Sequence, residues 1–198
     1  MLNMVQGCSV PFPEALSEGY EVRDGWIIAN VNAEKMLDVF KMFVVFHRDK
    51  RGFFFLETPV NRDEEEELQS SVGEGLHRRV YYIDDLSSEE SFALLVRSGE
   101  LLINDGISSF GFGFLTRDEI IRDKYNVVKI ISPELESYDK FFQSLKIPRV
   151  NSLKTAWDTF SEENPGIAER VEIDGKTVFD LPNEYKDWGI YEAEIRGE

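Results

Sequence analysis

The sequence predicts an α+β fold, a largely antiparallel sheet built from hairpins with four to five helices packed mainly on one side. Three observations carry that expectation. Asp-Gly steps at 24–25, 105–106 and 174–175 sit between apolar runs, and a two-residue hairpin turn needs residues that tolerate positive φ. Strands pair in this way rather than alternating regularly with helices. Segments with apolar residues at helical spacing begin at Asn, Ser or Thr and stop at Gly or Pro. No Gly/Ser/Pro-rich linker and no internal repeat divides the chain, so residues 1–198 are expected to form one domain with an acidic, mobile loop at about 61–75.

The elements follow in order. "GYEVRDGWIIANV" reads as a hairpin about Asp24-Gly25, and Asn32 caps a helix that buries Met36, Leu37, Phe40 and Phe43/Val44. "MFVVFHRDKRGFFFLETPV" reads as a second hairpin joined by His47 to Gly52, with "FFFL" apolar on both faces as a central strand is. Residues 61–75 carry Asp63, Glu64, Glu65, Glu66, Glu67 and Glu74 against Arg62 alone, and like charges this dense predict a solvated loop or a short frayed helix. "LHRRVYYID" is a strand, followed by a helix from Ser87 or Ser88 with a reciprocal cap at Glu90 or Ser91 and a stop at Gly99.

"ELLINDGISSFGFGFL" then predicts two strands, "TRDE" a helix capped by Thr116, and "YNVVKIIS" a strand. A helix from Pro133 carries Leu135, Tyr138, Phe141/Phe142 and Leu145. Another is expected with Leu153, Ala156/Trp157 and Phe160 on one face. A third Asp-Gly hairpin and a closing strand, "GIYEAEI", complete the chain.

Composition narrows the function. With 38 acidic and 22 basic side chains the formal charge is −16, a field that repels nucleic-acid phosphate and anionic lipid and steers toward basic partners. Cys8 is the single cysteine, which excludes an intrachain disulfide, a cysteine zinc set and a CxxC redox pair, and suits a reducing cytoplasm. The amino-terminal stretch lacks a basic leader with an apolar core, and apolar runs such as "MFVVF" are far shorter than a membrane span, so a cytoplasmic protein without membrane contact is expected.

Several motifs invite chemistry. "YYIDDL", Tyr81 to Leu86, resembles the Tyr-x-Asp-Asp motif of reverse-transcriptase palms, where the resemblance implies two magnesium-holding carboxylates. A palm also needs a further aspartate, a longer chain and a positive template channel. A helix cap follows Asp85 at once, and Asp84 and Asp85 near a helix amino end gain about 0.3–1 kcal/mol from its dipole, so they are read as a strand–helix boundary and no metal site is expected. Asp174-x-Lys176 with Asp158 is similar to a restriction-type nuclease core, and a tight hairpin turn accounts for it. "LPNEYKDW" resembles the Leu-Pro-x-x-Tyr-Lys stretch of SMI1/KNR4-type domains, a superfamily rich in bacterial toxin-immunity proteins, though there the stretch precedes most of the fold. Packing by Leu181 and Trp188, with a helical turn begun at Asn183 or Glu184, suffices to explain it.

His47 and His77 each lie beside arginine at an expected strand end, as on a solvated sheet edge. The pairs Lys50/Arg51 and Arg78/Arg79 are expected to neutralise the 61–75 stretch. In "FGFGF", Phe110, Phe112 and Phe114 share one strand face while Gly111 and Gly113 leave the other bare for a packed helix or a ligand. A small-molecule pocket, if built, is expected near Ser108, Ser109, Gly111 and Gly113 with His77.

No catalytic set and no cofactor motif emerges. The expected function is therefore a non-enzymatic binding protein of the immunity or antitoxin kind, engaging a basic protein through Asp63, Glu64, Glu65, Glu66, Glu67 and the surface acids Asp118, Glu119, Glu162 and Glu163. The alternatives are a small-molecule-binding or hydrolytic domain at 108–114, and an assembly subunit.

Overall fold

The computed structural model describes residues 1–71 and 76–197, so Glu74 lies outside the described residues. In chain order the elements are β1 (Cys8–Ser9), β2 (Gly19–Arg23), β3 (Trp26–Asn30), α1 (Ala33–Phe46), β4 (Arg51–Pro59), α2 (Arg62–Ser71), β5 (His77–Ser87), α3 (Ser88–Asn104), β6 (Ser109–Phe114), β7 (Glu119–Arg122), β8 (Val127–Ile131), α4 (Tyr138–Ser144), β9 (Ile167–Ala168), α5 (Leu181–Glu184) and β10 (Tyr191–Gly197). Eight strands form one antiparallel sheet in the order β10-β5-β4-β6-β7-β8-β3-β2, and β1 pairs with β9 in a separate two-stranded sheet. The α+β expectation and its antiparallel sheet hold.

Alternation decides which face is covered. Phe54 and Leu56 of β4, Ile83 of β5, and Phe110 and Phe112 of β6 are fully buried on one face, where α1 and α3 pack. Phe40 of α1 meets Phe110 at 4.7 Å between ring centroids, and Phe142 of α4 stacks on Tyr20 of β2 at 4.2 Å. Phe53, Phe55, Gly111 and Gly113 fall on the opposite face.

Turn chemistry explains the first hairpin. Asp24 and Gly25 take φ of 53° and 82°, the left-handed pair that lets β2 turn directly into β3. The capping box at the start of α3 is complete, with Glu90 N–H donating to Ser87 Oγ and Ser87 N–H donating to Glu90 Oε2.

Several expectations are corrected. "MFVVF" is the end of α1, because Met36, Val39, Phe40, Phe43 and Val44 form one continuous buried stripe at helical spacing, so β4 has no hairpin partner there. α3 runs through Gly99 to Asn104, so "ELLIN" is helix and no hairpin forms about Asp105-Gly106, β6 pairing with β4 and β7 instead; a Cβ on Gly99 would come within 2.6 Å of Leu37 Cδ1, so this glycine permits close approach of α1 rather than ending a helix. "TRDE" is a turn into β7, closed by Phe114 N–H donating to Asp118 O at 2.9 Å. Residues 153–160 form only a 3-10 turn over Ala156–Thr159. Around Asp174-Gly175 the left-handed turn is present, but only one bridge, Ile173 to Lys176, flanks it. Residues 62–71, expected as a mobile acidic loop or a short frayed helix, form the ten-residue helix α2; residues 72–75 of that stretch lie outside the described residues.

The chain after α4 wraps the sheet. Residues 148–153 run beside β2, Glu169 exchanges backbone hydrogen bonds with Gly7 and Gly106, and Tyr185 packs under α3 with its hydroxyl 2.6 Å from Ser98 Oγ. β10 then returns to the far edge beside β5. No helix of the described residues is long and apolar enough to cross a membrane.

Candidate interaction face

The face opposite the helices is built by register. Phe55 pairs with Gly111 and Phe53 with Gly113, so each ring lies over the neighbouring glycine; a Cβ on either glycine would sit closer than 3.0 Å to that ring. Gly111 and Gly113 are thus required by cross-strand rings, not by the helix the sequence suggested. Tyr82 of β5, opposite Phe55, meets Phe53 at 5.7 Å and Phe55 at 6.2 Å, and Tyr191 of β10 stacks on Tyr82 at 6.3 Å. Phe53, Phe55 and Tyr82 are half-buried and Tyr191 is exposed. The result is a continuous aromatic platform of side chains from β10, β5 and β4 that extends over the glycines of β6.

Carboxylates surround it. Glu119 of β7 pairs with Gly113, Glu194 of β10 pairs with Val80, and Asp84 accepts the Tyr191 hydroxyl at 2.7 Å. Burial first, then the charges of Glu194, Glu119 and Asp84 acting against Arg196, push the Tyr82 hydroxyl above its ordinary range. Tyr191 is pushed up as well, chiefly because its hydroxyl already donates to Asp84. Arg196 is held by Glu57 and Glu194, and Glu57 also takes Arg78 at 2.6 Å. At the other end of this face Glu21 accepts Leu153 N–H at 2.8 Å and Asn30 donates to Lys154 O at 2.9 Å, so the 153–154 segment covers β2 and β3 there.

The residues singled out from sequence separate into different places. Asp63, Glu66 and Glu67 are exposed on α2, but Glu64 pairs with Arg79 and Glu65 with His77 (Nδ1–Oε1 2.9 Å). Arg79 and His77 point to the helix side of β5, so α2 and Glu119 lie on opposite faces of the sheet. Glu162 and Glu163 are exposed in a turn closed by Ser161 and Asn164. Asp118 is no surface acid: it is buried, accepting the Tyr138 hydroxyl at 3.0 Å with His47 Nε2 at 3.4 Å. Burial works to raise its pKa, yet hydrogen bonds from Ser132 and Tyr138 and the facing His47 leave it below the usual carboxylate range.

Neither histidine is solvated. His47 is buried between Phe43 and Phe114, with Nδ1 2.9 Å from Phe43 O, and His77 is buried under α2. Ser108 is fully buried, Ser109 is half-buried, and Gly111 and Gly113 are roofed by phenylalanine on the sheet face opposite the one to which His77 points. His77 instead borders a cleft of about 490 Å³ with Pro59, Val60, Glu65, Ile107 and Lys124.

Asp84 and Asp85 diverge. Asp84 joins the platform rim, while Asp85, at φ 57° in a β-bulge, binds the Arg51 side chain at 2.7 Å. Asp158 is used in a capping box with Thr155, and Lys176 pairs with Glu184. Among the described residues no group of three or more His, Cys, Asp or Glu side chains is placed to hold a metal ion. Comparison with known proteins finds no family model, curated protein or solved structure that matches the chain.

The platform was half legible. "FFFL" signalled apolar residues on both faces and "FGFGF" a bare strand face, but only register brings Phe53 and Phe55 over Gly113 and Gly111. Tyr82, Tyr191 and Glu194 carried no local signal.

Proposed function

We propose that this protein is a non-enzymatic binding protein of the immunity type, neutralising a basic protein partner that docks on the open sheet face. The observation carrying this reading is the aromatic platform of Phe53, Phe55, Tyr82 and Tyr191 rimmed by Asp84, Glu119 and Glu194. Half-buried rings supply apolar contact area at low conformational cost, as interface centres do. Lysine or arginine ammonium and guanidinium groups are attracted both to ring faces and to the carboxylate rim. The formal charge of −16 adds long-range steering toward a basic surface.

The test starts with the native protein as bait at low salt. A basic protein eluting as salt rises is expected, with an association rate falling steeply with ionic strength. The double variant Glu119→Lys, Glu194→Lys should slow that association by about tenfold or more, whereas Asp63→Lys on α2 should leave it nearly unchanged. Association indifferent to salt and to the double variant would sink the reading.

A further inference from the structure

The two edges of the eight-stranded sheet are treated differently. At β2 the chain closes its own edge: Tyr20 N–H donates to Pro148 O at 2.9 Å, Val150 N–H donates to Tyr20 O at 2.8 Å, and Arg23 reaches Leu153 O at 2.8 Å. At the other edge β10 ends the strand order with β5 as its hydrogen-bonded neighbour. β10 spans seven residues, Tyr191–Gly197, roughly 23 Å of extended backbone at the usual rise, and a row of its N–H and C=O groups faces away from β5. It carries neither lysine nor proline, the common guards of an exposed edge, and is broken by one bulge between Glu192 and Glu194.

We infer that the β10 edge accepts an extended segment of the basic partner as a ninth, hydrogen-bonded strand. The inference rests on the function proposed above and names how that partner is held. Charge favours a basic occupant: the side chains of Glu192 and Glu194 are 43% and 55% exposed and each faces one arginine of this chain, Arg79 and Arg196, while Asp84 and Asp187 are exposed nearby, so acid outnumbers base along this edge and opposite-charge cross-strand pairs favour lysine or arginine on the incoming strand. Continuity supports the same occupant. Tyr191, Glu194 and Arg196 lie on the platform side of the sheet, so alternate residues of an added strand extend the aromatic face rather than forming a separate site. Backbone pairing supplies affinity and the alternate side chains supply selectivity.

The test uses two eight-residue peptides of alternating lysine and threonine, one unmodified and one N-methylated at every backbone amide, so that neither of its edges can donate. Both carry the same charge, but only the first can complete a ladder. Amide exchange of the intact protein is followed by NMR while each peptide is added. The unmodified peptide is expected to slow exchange of alternate amides in Tyr191–Gly197 by about tenfold, with the methylated peptide inert and the Glu192→Lys, Glu194→Lys variant binding about tenfold more weakly. Equal binding of both peptides overturns the strand-addition inference while leaving the basic-partner reading intact. No change at β10 with either peptide also overturns it. Protection of these amides without peptide in a concentration-dependent dimer, read by sedimentation, would assign the edge to a second copy and overturn it likewise.

Discussion

Gly111 shows how little room the platform leaves. Its missing side chain is replaced by the Phe55 ring, and an added Cβ would meet both that ring and the backbone oxygen of Ile120 closer than 3.0 Å. The ring can turn, but the β7 backbone cannot. Gly111→Ala is therefore expected to destabilise by about 1–3 kcal/mol, the usual range for overpacking, seen as a lowered thermal midpoint. Asp118 makes the opposite point, since its value lies in what would be orphaned without it. Asp118→Ala leaves the Tyr138 hydroxyl without its buried acceptor and removes the carboxylate facing His47, which should cost about 1–3 kcal/mol in denaturant unfolding. Because its folded pKa is depressed, its contribution is complete above the unfolded carboxylate pKa and fades as pH falls through the lower folded value. The wild type should thus lose more stability on acidification than Asp118→Ala does.

Elements were legible where a stripe and a stop agreed. The hairpin at Asp24-Gly25, the cap at Ser87 and strands β4, β5 and β8 could be read because local chemistry and tertiary use coincide there. The misreadings share one cause, a local signal put to tertiary use. Gly99 resembles a helix stop but makes room for Leu37; Asp118 resembles a surface acid but is a buried acceptor; "MFVVF" resembles a strand but completes a helical stripe. Ser87→Ala should lower stability by about 1 kcal/mol, the common cost of losing such a cap, measured by chemical denaturation. α2 depends instead on charge, through Glu64 with Arg79 and Glu65 with His77. The Glu65 carboxyl is held below its ordinary pKa mainly by the hydrogen bond with His77. That anchoring is intact above the usual glutamate pKa and is lost as pH drops through the depressed value, so exchange of the His77 amide, which donates to Glu65 Oε2 at 2.9 Å, should accelerate there before the central strands β4 and β6 respond.

For the molecule as a whole, the sequence spoke clearly of class and charge but not of which face stays open. Net charge is a sum over residues and needs no fold, whereas the platform exists only once β10, β5, β4 and β6 are aligned. The same alignment joins distant stretches of chain, with β5 hydrogen-bonded to a strand that begins at Tyr191. During synthesis β5 can complete its ladder with β4 early, but its other flank waits until the last residues of Tyr191–Gly197 leave the ribosome. Until then Val80, Tyr82 and the unpaired backbone beside them form a sticky border on an otherwise assembled sheet. Chains halted before residue 191 should accumulate in inclusion bodies even though every helix and the other seven strands of the main sheet are already encoded in them.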